Sequence, residues 1–80
     1  ATGRKVTVLS SQPAAVLYTG NWLSGGCPKT KSDKYYQDYA GVAIECQGFS
    51  DAVNHPDFPS IYLKADELYC NKIVFKLEQF

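Results

Sequence analysis

The stretch Lys34-Tyr-Tyr-Gln-Asp-Tyr-Ala-Gly-Val-Ala-Ile-Glu-Cys-Gln-Gly-Phe49 decides how this chain is read. It holds three of the six tyrosines and changes character at Gly41. Beyond Gly41, Val42, Ile44 and Cys46 fall on one side and Ala43, Glu45 and Gln47 on the other, the period-2 pattern of a half-buried strand. This predicts a core strand over 42–46. The tyrosine half has two readings. Ser32 can cap a short helix over 33–40 that ends at Gly41, or Lys34–Tyr39 can form an edge strand. On a strand Tyr35 and Tyr36 point to opposite faces, so at least one of them is exposed.

Outward from this stretch, the flanks read mainly as short strands. Arg4–Ser10 alternates Val6 and Val8 against Thr7 and Leu9, a strand pattern. Residues 14–19 can be a helix, with Ser11 as cap, Pro13 in the first turn and Gly20 behind it. The β-preferring Val16, Tyr18 and Thr19 favour a strand there. Residues 21–31 form a connection punctuated by Gly25, Gly26 and Pro28. It is basic but lacks the Gly-Lys-Ser/Thr ending of a phosphate-cradling loop. Residues 50–60 are a loop fixed by Pro56 and Pro59, 61–64 a short strand, and 65–67 a turn. In 69–80 Tyr69, Ile73, Phe75 and Leu77 share one face, and Cys70, Lys72, Val74, Lys76 and Glu78 occupy the other. The expected fold class is all-β, a small six-stranded β-sandwich of two antiparallel sheets, because a single small layer cannot shield its apolar face. The alternative is an α+β sandwich with one or two short helices.

Eighty residues read as a single domain, 1–80, with a thin core that calls for a staple. Formal net charge is zero, which speaks against a general nucleic-acid or anionic-membrane binder. The charges are uneven: five cations against one anion in residues 1–34, and three against seven in 35–80. No apolar run is long enough to span a bilayer and no signal-like segment opens the chain, so a mature N-terminus or a cloning boundary is expected there. Three cysteines and one histidine at these spacings match no zinc pattern. No metal and no cofactor is expected. A secreted domain with one disulfide is the reading of the cysteines. Cys27–Cys70 is favoured, since Cys46 is in phase with core residues; Cys46–Cys70 stays open.

Catalytic chemistry finds little support in these residues. His55, in Asn54-His55-Pro56-Asp57, could be oriented by Asp57 or Asp51 toward Ser50 or Ser60, but nearness in sequence does not make a triad. A ribonuclease-like enzyme would need His55, Glu45 and Arg4 together. The adjacent carboxylates Asp66 and Glu67 diverge, unlike a glycosidase pair. The expectation is a non-enzyme. Tyrosine supplies rigid, amphipathic contact area, and a small sheet leaves edges open to strand addition. Lys34, Tyr35, Tyr36, Asp38 and Tyr39 are therefore the expected partner-binding residues, facing a protein rather than nucleic acid, from a monomer.

The hairpin pattern Val6-Thr-Val-Leu-Ser10 and Ala15-Val-Leu-Tyr-Thr-Gly20, followed by the Gly-rich segment with Cys27, resembles the MAX family of small secreted fungal effectors (Magnaporthe avirulence and ToxB-like proteins). The resemblance implies a six-stranded sandwich secreted by a fungus, which acts in virulence by binding host proteins and meets plant immune receptors through edge strands. It carries over no catalytic residue. A secreted killer-toxin-like or antimicrobial protein is the competing class, favoured by the helical readings of 13–19 and 33–40.

Overall fold

The computed structural model describes residues 3–26 and 29–80. Four strands form among them: β1 (Arg4–Ser10), β2 (Ala14–Tyr18), β3 (Ala43–Gln47) and β4 (Ile73–Gln79). One 3-10 turn, Ala52–Asn54, is the only helical element among the described residues. The chain is thus mostly β, with β1 paired to β4 and β2 paired to β3 in two two-stranded antiparallel sheets. Two compact units can be distinguished, Ala1–Ala15 with Cys46–Phe80, and Val16–Glu45.

In the first unit β1 and β4 run antiparallel, with Val6 opposite Leu77, Val8 opposite Phe75 and Ser10 opposite Ile73. The alternation in both strands survives as two chemically different faces. Pairing continues one residue past the strands. Ser11 N–H donates to the Lys72 carbonyl at 3.0 Å, and the Lys72 N–H donates to Ser11 Oγ at 3.0 Å. The Ser11 hydroxyl in turn donates to Asn71 Oδ1 at 3.2 Å. These bonds explain why β4 begins at Ile73 rather than Tyr69: side chains take the backbone groups a longer ladder would use.

The same competition removes the strand expected at 61–64. The Tyr62 N–H donates to Ser60 Oγ and the Lys64 N–H to Glu67 Oε2, while the Glu67 N–H returns to the Lys64 carbonyl across a turn. The segment is irregular. Residues 33–40 are neither the expected helix nor the expected edge strand. Asp33 (φ 57°) and Tyr39 (φ 60°) are both left-handed, a conformation neither element accommodates. The favoured strand reading of 14–19 holds in β2, and the strand expected at 42–46 is displaced by one residue to 43–47.

In the second unit Gly20 is the one buried residue among those described. Its φ of +74° is available to glycine at no steric cost. Its carbonyl accepts the Tyr39 N–H at 2.8 Å and the Leu23 N–H at 3.3 Å. A methyl group at position 20 would stand 2.6 Å from the Gly41 carbonyl oxygen and 2.8 Å from Leu23 Cδ1. The strand-to-loop corner at Gly20 is therefore specific to glycine.

The expected packed core is corrected: no apolar side chain is buried among the described residues. Val42, placed in the core by its phase with Ile44 and Cys46, lies outside β3 and is 65% exposed. Four strands in pairs have too little area to enclose an apolar interior, since a two-stranded sheet is only marginally stable by itself.

Candidate functional site

Three groups of side chains stand out. The first surrounds the 3-10 turn. Asp51 precedes it in the left-handed conformation (φ 59°), which aspartate tolerates better than most residues. One oxygen of its carboxylate accepts from Asn54 Nδ2 and the other lies 3.1 Å from His55 Nε2. The His55 ring stacks on Phe58 at 4.6 Å between centroids, and Phe58 meets Phe49 edge to face at 5.1 Å. Of the two carboxylates considered for His55, Asp51 is the one that engages it. The Ser60 hydroxyl is taken by the Tyr62 N–H. The cluster pins the loop after β3, and its imidazole is held by contacts within the loop.

The tyrosine segment forms the second group, in the second unit. Tyr35 and Tyr39 are largely exposed, at 77% and 72%. The ammonium of Lys29 lies 5.5 Å from the Tyr35 ring centroid, in cation–π range. Tyr36 instead lines an apolar hollow of about 280 Å³ with Tyr18, Leu23 and Val42. Asp38 Oδ1 accepts the Ser24 N–H at 2.9 Å, and hydrogen bonding from Ser24 lowers its pKa. The Lys34 N–H donates to Thr30 Oγ1 at 3.2 Å. These residues share a loop surface, and Asp38 has a structural task there.

The third group lies on and after β3. Cys46 and Gln47 contribute to a cleft of about 370 Å³ with Gln12, Tyr62, Tyr69 and Asn71. Gln12 Nε2 donates to Tyr69 Oη at 2.8 Å within it. Cys46 is half-buried and Cys70 exposed, and the two are not bridged to each other. Cys27 lies outside the described residues, and so does the pairing expected for it. Glu45, in the middle of β3, is exposed. The strands carry one other carboxylate, Glu78, and that one is paired with Lys5 and Lys76. Glu45 has no ion pair among the described residues. Arg4, the cation of the ribonuclease-like set, sits on β1 opposite Gln79. Among the described residues no cluster of three or more His, Cys, Asp or Glu side chains could hold a metal ion, and no helix is long and apolar enough to cross a membrane.

Comparison with known proteins corrects the functional expectations. The aldose 1-epimerase family model matches residues 1–76. Galactose mutarotase of Rattus norvegicus is 42% identical over 76 residues, 95% of this chain and 22% of the relative. The Homo sapiens galactose mutarotase is 40% identical with the same coverage. Aldose 1-epimerase of Haemophilus influenzae is 41% identical over 51 residues, 64% of this chain and 14% of the relative. No solved structure matches the chain significantly. The chain spans about a fifth of the length of the mammalian relatives it matches.

These relatives are enzymes, which overturns the non-enzyme expectation. The same matches overturn the secreted fungal effector with its role in virulence and plant immunity, together with the killer-toxin, antimicrobial and ribonuclease-like alternatives. The likeness to the MAX family rested on strand spacing and a glycine-rich segment, features that any small-stranded β protein supplies. The sequence reading names Glu45 on one face of the strand expected at 42–46 and as one member of the ribonuclease-like set. It is a carboxylate in a mainly apolar run, Val42 to Cys46. The chain belongs to the aldose 1-epimerase family.

Proposed function

We propose that this chain is the Glu45-bearing part of an enzyme that interconverts the two anomers of an aldose at C1, with galactose the first substrate to test. The family match over residues 1–76 is the observation that carries the reading. The reaction needs only proton transfers. A base removes the C1 hydroxyl proton, the C1–ring-oxygen bond breaks as a carbonyl forms at C1, and an acid protonates the ring oxygen. Rotation about the C1–C2 bond and reclosure, with the protons returned, give the other anomer. A carboxylate on a regular strand suits the base, because a strand fixes it more closely than a loop does.

Glu45 meets that description, whereas Glu78 is neutralised by two lysines and Asp51 is engaged by Asn54 and His55. The complementary acid is assigned to the enzyme's remaining polypeptide, since His55 is occupied by Asp51 and Phe58. The test is galactose mutarotation, followed by polarimetry, in the chain assembled with the rest of an epimerase polypeptide. Glu45→Gln should lower kcat by roughly 10²–10⁴-fold, the usual contribution of a positioned acid or base, with KM little changed. A Glu45→Gln enzyme within about tenfold of the parent would remove Glu45 from the chemistry.

A further inference from the structure

The apolar hollow of the second unit is walled by Tyr18, Leu23, Tyr36, Val42 and Ala43. Gly20 and Gly41 complete the lining without side chains. A Cβ on Gly20 would stand 2.8 Å from Leu23 Cδ1, so glycine there leaves Leu23 its place in the wall. The Tyr18 hydroxyl accepts the Trp22 N–H at 3.2 Å, so its polar end is already occupied. Among the described residues no charged or amide side chain lines the hollow. Such a wall offers contact to C–H groups and penalises a hydroxyl buried against it without a partner. The strand β3 joins this hollow to the carboxylate assigned as base. Ala43 and Glu45 are two residues apart on β3 and share a face, a separation of about 6–7 Å. A pyranose whose C1 hydroxyl meets the Glu45 carboxylate reaches Ala43 with its far edge.

We infer that the hollow is the subsite for the hydroxyl-free face of a galactose-configured aldose, C3 to C5, and that Tyr36 is a specificity-determining residue of that subsite. The inference rests on the reading of Glu45 as the base. In galactose the 4-hydroxyl is axial, so the hydrogens on C3, C4 and C5 make one continuous C–H surface. In its C4 epimer, glucose, the equatorial 4-hydroxyl projects from the ring beside that surface and would meet the wall without a partner. A volume of about 280 Å³ lies at the small end of ligand sites, which start near about 300 Å³, and suits one sugar ring rather than an oligosaccharide. Val42 is exposed, which leaves the hollow open to an arriving ligand on that side.

The test follows mutarotation of galactose and of glucose by polarimetry, in the chain assembled with the rest of an epimerase polypeptide. Tyr36→Ala should raise KM for galactose roughly three- to tenfold, the usual worth of an aromatic contact, with the loss in KM rather than kcat. KM for glucose should move less than about twofold, so the preference for galactose falls. Val42→Ser should shift the preference in the same direction, and Val42 lies exposed outside β3, so this variant keeps the fold. Tyr36→Phe keeps the ring and should recover the preference that Tyr36→Ala loses. Equal KM for galactose in the parent, Tyr36→Ala and Val42→Ser would overturn the inference. So would a rise shared equally by galactose and glucose. Calorimetric titration of galactose into Glu45→Gln enzyme, with and without Tyr36→Ala, separates this inference from the catalytic reading. Weaker binding with Tyr36→Ala, in a Glu45→Gln enzyme that stays active, supports the subsite and removes the base. Equal binding, in a Glu45→Gln enzyme that is inactive, keeps the base and overturns the subsite.

Discussion

Replacing Gly20 by alanine probes the corner that organises the second unit. The backbone there has φ +74°, which costs an L-residue roughly 1–2 kcal/mol. The added methyl would also lie 2.6 Å from the Gly41 carbonyl oxygen, so the two backbone segments must separate. Separation strains the 2.8 Å bond from the Tyr39 N–H to the Gly20 carbonyl, and such a bond contributes about 0.5–1.5 kcal/mol. Together these place the cost of Gly20→Ala at roughly 1.5–3.5 kcal/mol, about a 10- to 300-fold rise in local opening. Amide hydrogen exchange at Tyr39 reads that opening directly. Gly26→Ala is the control, because a Cβ at position 26 meets nothing within 4 Å among the described residues, and its effect should stay within about 0.5 kcal/mol. Equal exchange at Tyr39 in Gly20→Ala and the parent would refute the reasoning. It would mean that the corner relaxes freely and that burial at Gly20 carries no constraint.

Other outcomes follow from the same contacts. The Ser24 N–H bond holds the Asp38 carboxyl below its ordinary pKa. A carboxylate depressed in this way stabilises the loop above its unfolded pKa of about 3.9 and loses that contribution as pH falls through the lower folded value. The Ser24 amide resonance should therefore titrate with a midpoint below about 3.9, and Asp38→Asn should abolish the titration; a midpoint at or above the free value would contradict the assignment. At Asp51, Gly and Ala both remove the acceptor used by Asn54 and His55, but only alanine also opposes the left-handed φ of 59°. Asp51→Ala should thus be less stable than Asp51→Gly by about 1 kcal/mol in denaturant titration, and equal midpoints would show that the turn is not held left-handed.

The sheet-forming segments were legible where their pattern was local. Val6 and Val8 on β1, and Ile73, Phe75 and Leu77 on β4, announce the apolar face by alternation alone, and the structure pairs those faces in register. Residues 33–40 were not legible, because their conformation is set at a distance. The Tyr39 N–H is claimed by Gly20 nineteen positions earlier and the Lys34 N–H by Thr30, and no propensity at 33–40 encodes either bond. Residues 61–64 look like a strand by composition and lose to the side chains of Ser60 and Glu67.

Burial was misjudged for a physical reason as well. Alternation tells which face is apolar, and it does not tell what covers that face. A closed two-sheet core assumes a cover for each apolar face, and Phe75, Leu77 and Val42 are exposed among the described residues. Glu45 reads from alternation as a solvent-facing residue of a half-buried strand, and the structure leaves it exposed on β3.

The central claim, catalysed exchange at the anomeric carbon, is tested most directly by proton NMR of galactose at anomeric equilibrium. Saturation of the α-anomer H1 resonance should transfer to the β-anomer resonance when the chain, assembled with the rest of its epimerase fold, is added, at a rate proportional to its concentration. Transfer no faster than in buffer would contradict the account.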